Sequence, residues 1–268
     1  MSSQQPSGAR RLEKKVALVT GAASGLGAAI AEAYVAEGAT VVVADVAVAA
    51  GRAVAERLGR SAHFFELDIS DERRWETAVD WIVETFGGLD VLVNNAAILR
   101  LGPLQGFSLS DFRELVDVNQ FGTFLGMRTA SRAMAPAGRG SIINIVSVDA
   151  LYGTPGTGGY GATKWAVRGL TKVAAGEWGP LGIRCNGIFP GGMDTPMAAP
   201  TSNNVLMRAK SADEIIGGWP ISRLARPAEV APLAVYLGSD ESLYCTGAEF
   251  VIDGGATAGP AYLDRSSE

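Results

Sequence analysis

At 268 residues and 47% hydrophobic side chains, the chain suits one large domain as well as two small ones, with a sizeable core in either case. A net charge of −5 and a pI near 5.1 leave no basic footprint for nucleic acid or an anionic membrane surface. The single histidine, His63, excludes a His-rich metal site and leaves little room for a serine-hydrolase triad, so no metal is expected.

Residues 1–11 are polar, carry no apolar signal-peptide core and are expected to form a flexible tail. No apolar run is long and unbroken enough to cross a bilayer. Residues 15–20 (KVALVT) read as a strand, followed at once by the glycine-rich turn Thr20-Gly21-Ala22-Ala23-Ser24-Gly25-Leu26-Gly27. Small and apolar residues then recur at helical spacing over 25–37. Residues 40–45 (TVVVAD) do not alternate, which marks a strand buried on both faces. This strand–turn–helix–strand order is a βαβ unit.

The alternation continues with a helix at 47–58, a strand at 62–67 that takes in His63, and an amphipathic helix at 71–86. A strand at 90–93 is stopped by Asn94-Asn95. One long helix is predicted over 110–134, then a strand at 141–146, a helix at 160–178 and a strand at 183–188. Pro227 opens a helix that runs to 237, and a last strand, 249–252, ends at Asp253-Gly254-Gly255. Seven strands separated by helices predict an α/β fold: a single doubly wound, Rossmann-type domain over 12–260, with a seven-stranded parallel sheet and helices on both faces. Residues 191–221 lack periodicity and follow a strand's carboxyl end, so they are expected to form a substrate-covering lid. Residues 261–268 read as a second tail. Cys185 and Cys245, far apart and without metal-ligand spacing, read as reduced thiols of a cytoplasmic enzyme.

Two stretches carry chemistry. The glycines of the first turn permit a sharp bend and close backbone approach, and the helix behind them offers free N–H groups to a pyrophosphate. Asp45, ending the second strand, can accept from both hydroxyls of an adenosine ribose and would repel a 2′-phosphate. No arginine or lysine stands in the turn or beside Asp45, so NAD is predicted over NADP. The alternative is that Asp45 caps the next helix. The second stretch is Tyr160 and Lys164, which share one helix face four residues apart. A phenol has a pKa of about 10 and is a poor acid–base catalyst near neutrality unless a cation favours the phenolate. Lys164 is the candidate cation.

The glycine turn, Asn94-Asn95-Ala96-Ala97, Asn119, Ser147, Tyr160-Gly161-Ala162-Thr163-Lys164 and Pro190-Gly191 together resemble the short-chain dehydrogenase/reductase family over nearly the whole chain. Ala97 departs from the family's usual glycine. The resemblance implies that Tyr160 passes a proton to or from the substrate oxygen while hydride moves to or from nicotinamide C4. It implies that Lys164 holds the nicotinamide ribose and lowers the Tyr160 pKa, that Ser147 hydrogen-bonds the substrate oxygen, and that Asn119 anchors a proton-relay water. Asp68 and Ile69 are implied at the adenine, Asn95 along the adenosine, and Thr195 at the carboxamide. Gly21, Ser24, Gly25, Leu26, Gly27, Pro190, Gly191 and Met193 complete the implied cofactor contacts.

Near the expected pocket stand Asp149, Leu151, Tyr152, Gly153, Thr154, Pro155, Met193, Met197 and Trp219-Pro220, a largely apolar lining that suits an apolar secondary alcohol or ketone. Residues 160–170 (YGATKWAVRGL) and 246–260 are similar to bacterial NAD-dependent 3α/20β-hydroxysteroid dehydrogenases, and the resemblance extends to cyclic-alcohol dehydrogenases. A 3-oxoacyl-carrier-protein reductase is the nearest alternative, and a non-catalytic dinucleotide sensor a remote one. The family resemblance further implies a homotetramer, built through the helices bearing Asn119 and Tyr160 and through the C-terminal strand.

Overall fold

The computed structural model describes residues 10–198 and 216–259. Seven strands form one parallel sheet in the order β3-β2-β1-β4-β5-β6-β7. They are β1 (Val16–Thr20), β2 (Thr40–Asp45), β3 (Ala62–Glu66), β4 (Val91–Asn94), β5 (Gly140–Ile145), β6 (Ile183–Pro190) and β7 (Glu249–Ile252). Because parallel neighbours need crossovers, each strand but the last is followed by helix. The strand order reverses between β1 and β4, and this opens a crevice at the carboxyl ends of the strands.

Side chains alternate across the sheet and build two cores. Ala17, Val19, Val41, Val43 and Val93 meet α1 (Gly25–Ala36) and α7 (Pro227–Gly238) on one face. Leu18, Val42, Ala44, Leu92 and Ile142 meet α3 (Glu72–Phe86) and α5 (Thr123–Met134) on the other. Gly126 lets α5 come close, since a Cβ there would lie 2.6 Å from both the Trp75 ring and Asn94 Oδ1. The remaining helices are α2 (Val48–Leu58), α4 (Leu109–Leu115) and α6 (Gly158–Trp178). No described helix is long and apolar enough to cross a membrane.

Several expectations need correction. The helix predicted over 110–134 is α4 and α5 joined by a π-helical segment, Val116–Gly122. A π turn inserts one residue per turn, which a 3.6-residue pattern does not register. The helix predicted from Tyr160 starts two residues earlier, at Gly158, where Gly158 and Gly159 let Leu104 and Phe107 pack against the first turn. The expected N-terminal tail is shorter than 1–11. Arg11 forks onto Glu241 at 2.6 and 2.9 Å, its amide donates to Glu37, and Leu12 is fully buried. Residues 1–9 and 261–268, both read as tails, lie outside the described residues, as does 199–215, the middle of the expected lid. The two ends of that stretch are tied together: Met193 bridges Ala225, Asp194 N donates to Ala225 O, and Ala225 N donates to Gly192 O.

Candidate active site

The crevice at the strand reversal holds a cleft of about 890 Å³. Its first wall is the turn between β1 and α1. Gly21 (φ +63°) and Gly25 (φ +53°) take the left-handed backbone that favours glycine. Gly27 lies behind the turn, where a Cβ would stand 2.3 Å from Gly21 O. Asn95 and Thr20 brace the turn from β4. Asn95 Nδ2 donates to the carbonyls of Thr20 (2.9 Å) and Gly21 (3.2 Å), while Thr20 Oγ1 accepts from the amides of Asn95 and Ala96. Asp45 reaches the same turn: Oδ2 accepts from Ala23 N at 3.0 Å and Oδ1 from Ala47 N at 2.9 Å. Its bond to Ala47 realises in part the capping alternative, yet the carboxylate still lines the cleft.

The second wall comes from β5, α6 and β6. Ser147 follows β5, and its Oγ accepts from Asp149 N at 3.1 Å. Tyr160 stands in the first turn of α6 and Lys164 in the next. The Lys164 ammonium is buried, donates to Ile145 O at 2.8 Å and lies 5.6 Å from the centroid of the Tyr160 ring. Burial lowers its pKa to about 8. Tyr160 is held well above its ordinary value, first by burial and then by the charge of Asp149, with a bond to Ser147 acting the other way. The expected lowering of the Tyr160 pKa by Lys164 is therefore absent from this arrangement. The ammonium is turned to a backbone carbonyl, and desolvation of the phenolate outweighs it.

Most of the predicted residues meet in the cleft. Gly21, Ser24, Gly25, Leu26, Asp45, Asp68, Ile69, Asn95, Ser147, Tyr160, Lys164, Pro190, Gly191, Met193 and Thr195 all line it. Gly27 and Asn119 stand behind it. The water-anchoring role implied for Asn119 has no free side-chain atom to serve it. Its Oδ1 accepts from Ile98 N at 2.8 Å, its Nδ2 donates to Ile98 O and Thr163 Oγ1, and its backbone carbonyl takes the Thr123 hydroxyl. Asn119 instead pins the segment after β4 to the π turn and to α6. The glycine cradle, which a Cβ would fill, and the carboxylate of Asp45 fit a dinucleotide.

Residues 21–257 match the family model described as enoyl-(acyl carrier protein) reductase, one of those covering the short-chain dehydrogenases/reductases. The chain is a short-chain dehydrogenase/reductase. It is 49% identical to the 3-alpha-(or 20-beta)-hydroxysteroid dehydrogenase of Mycobacterium tuberculosis (strain ATCC 25618 / H37Rv), covering 95% of this chain and 94% of that one. It is 43% identical to the trans-4-hydroxycyclohexanecarboxylate dehydrogenase of Sinomonas cyclohexanicum, over 93% and 95% of the two chains. A gluconate 5-dehydrogenase from Burkholderia cenocepacia J2315, solved in complex with NADP and tartrate, superposes with a TM-score of 0.87 at 31% identity, covering 94% of this chain and 98% of that one. The family binds a nicotinamide dinucleotide, and this short-chain dehydrogenase/reductase is an oxidoreductase of alcohols.

Sequence reasoning missed several residues that hold this short-chain dehydrogenase/reductase site together. Asn144 sits beneath the catalytic wall, accepting from Asn94 Nδ2 at 2.9 Å and donating to Thr171 Oγ1 at 2.8 Å. A polar residue inside the apolar run SIINIV was its signal. Arg168 fastens α6 to β7 through a two-pronged bond to Glu249, at 2.8 and 2.9 Å, and holds Ala150 O at 2.8 Å. The pair lowers the Glu249 pKa. Eighty-one residues separate the partners, and no local pattern announces them.

Proposed function

We propose that this protein interconverts a secondary alcohol and a ketone with NAD(H), on a hydrophobic cyclic substrate of steroid-like type, with Tyr160 as the general acid/base. The observation that carries the reading is the meeting of Ser147, Tyr160 and Lys164 in the cleft lined by the glycine turn and Asp45. When bound, the nicotinamide ring supplies or takes the hydride at C4 and, in its oxidised form, adds a positive charge that favours the phenolate. Gly21 and Gly25 would leave room for the pyrophosphate, Asp45 would accept from the adenosine ribose, and Asp68 and Ile69 would flank the adenine. Thr195 and Met193 would face the nicotinamide end, and Lys164 would hold its ribose. In the ketone direction the Tyr160 hydroxyl gives its proton to the carbonyl oxygen. Ser147 donates to the same oxygen and steadies its developing charge.

The cyclic class is supported by the dehydrogenases of a hydroxysteroid and of a hydroxycyclohexane among the relatives. Asp45, with no neighbouring arginine or lysine in sequence, supports NAD over NADP. Exposed Phe121, Phe124 and Trp165 along the helices bearing Asn119 and Tyr160, and exposed Val251 on the edge strand β7, support a homotetramer with a mass readable by light scattering. The free thiols Cys185 and Cys245, the first pushed up to about 12 by burial, suit a cytoplasmic protein.

The test is reduction of cyclic ketones, steroids and acetoacetyl thioesters with NADH and with NADPH, by wild type, Asp45→Ala and Tyr160→Phe. NADH-linked turnover of a cyclic ketone, lost in folded Tyr160→Phe, is expected. Equal use of both cofactors by the wild type refutes the NAD assignment. Turnover confined to thioesters points to an acyl-carrier-protein reductase, and binding without any turnover to a sensor.

A further inference from the structure

The turn after Ser147 carries an acid that the proposed reaction leaves unused. Asp149 lies in the short 3-10 turn Val148–Ala150. Its Oδ1 accepts from the Thr154 hydroxyl at 2.5 Å, and its Oδ2 lies 3.5 Å from Ser147 Oγ. Its amide donates to that same Oγ at 3.1 Å. Asp149 also rests against the first turn of α6: a Cβ on Gly161, next to Tyr160, would stand 3.5 Å from the Asp149 carbonyl oxygen. The cations of this wall are committed elsewhere. Lys164 donates to Ile145 O, and Arg168 to Glu249 and Ala150 O.

We propose that Asp149 is a positioning residue for the Ser147–Tyr160 pair: it fixes the Ser147 hydroxyl and sets a negative charge against Tyr160 that keeps the phenol loaded with its proton. The inference rests on the reading of Tyr160 as the acid/base. Burial raises the Asp149 pKa, while the Thr154 and Ser147 hydroxyls act to keep it charged. That charge adds to burial in raising Tyr160. The other groups facing it are Tyr152 on its own segment, which Asp149 and Asp253 both raise, with Asp253 just beyond β7. Nothing titratable there offsets the carboxylate.

The sign follows from like charges: a carboxylate beside a nascent phenolate disfavours ionisation. Alcohol oxidation needs the phenolate, so its rising limb with pH is displaced upward. Ketone reduction needs the phenol and keeps its activity to higher pH. Asp149 thus tilts the site toward reduction at neutral pH.

The experiment compares pH profiles of kcat/KM in both directions for wild type, Asp149→Asn and Tyr160→Phe, with NADH dissociation constants from fluorescence. Asp149→Ser replaces the Asn variant if the latter does not fold. We expect both limbs to move to lower pH by about half a unit to one unit when the charge is removed, with NADH affinity within about twofold of wild type. A purely structural role would scale the rates at every pH and leave the limbs in place. Limbs unmoved in a folded charge-removed variant, while Tyr160→Phe is inactive, overturn the role of Asp149 alone. A shift accompanied by more than tenfold weaker NADH binding also overturns it, because the effect would then run through the cofactor. Turnover retained by Tyr160→Phe overturns the acid–base reading itself, and this inference with it.

Discussion

Lys164→Met is expected to leave the ligand-free protein as stable as the wild type or more so at pH 7, while abolishing turnover. The Lys164 side chain is 3% exposed, and its ammonium has one hydrogen bond, to Ile145 O. Burial lowers its pKa from 10.5 to about 8. A depression of that size corresponds to about 3 kcal/mol of folding free energy set against the charged form. Methionine removes the charge at similar volume but orphans the carbonyl, a loss of about 1–2 kcal/mol. The net expectation at pH 7 is a gain of about 1–2 kcal/mol, or a few degrees in melting temperature at fixed protein concentration. Between about pH 8 and 10.5 the unfolded chain holds a proton that folded Lys164 has released. Wild-type stability therefore rises with pH across that window relative to the methionine variant, and the gap closes. Urea unfolding at pH 7 and pH 10 measures both. A variant less stable by 2 kcal/mol at pH 7, or a gap that ignores pH, would refute the assignment of the ammonium as a desolvated charge.

Further outcomes follow from close approaches. Gly27→Ala places a Cβ 2.3 Å from Gly21 O and 2.6 Å from Asn95 Nδ2, so NADH affinity should fall at least tenfold in calorimetry, with the fold retained by circular dichroism. Gly126→Ala drives a methyl to 2.6 Å from the Trp75 ring and should cost about 1–3 kcal/mol in urea unfolding; a neutral result would mean that α5 shifts freely against α3. Arg11→Ala removes an exposed two-pronged pair with Glu241, for which about 1 kcal/mol or less is expected, fading in high salt.

Much of this architecture was legible because parallel strands buried on both faces read as unbroken apolar runs, and TVVVAD and SIINIV are such runs. The glycine turn and Asp45 were legible for a similar reason: a tight bend and a strand-end acid require particular residue types at one place in the chain. The catalytic wall was legible in its parts, but its electrostatics were not. Whether Lys164 lowers Tyr160 depends on where the ammonium points, and it points to Ile145 O, set by the end of β5 rather than by the helical spacing. Likewise the π turn at Val116–Gly122 is held by Asn119 clasping Ile98, a contact across 21 residues that periodicity within one helix does not contain. Arg11 looked like a tail because its partners, Glu37 and Glu241, lie far along the chain.

The paired backbone bonds between 192–194 and Ala225 form a clasp at the base of the segment that overhangs the cleft. Trp219 and Pro220 brace it from outside, standing against Gly192 and Gly255. Both ends of the segment are thus fixed to β6, to α7 and to the chain beyond β7, independently of what lies between. The sheet, the glycine turn and the Ser147–Tyr160–Lys164 wall are all assembled without residues 195–224. Loop entropy grows only slowly with length, so such a mount tolerates exchange of the span it carries. The clasp separates the machinery of hydride transfer from the choice of alcohol, and a transplant between its two posts would change what is oxidised while leaving how it is oxidised intact.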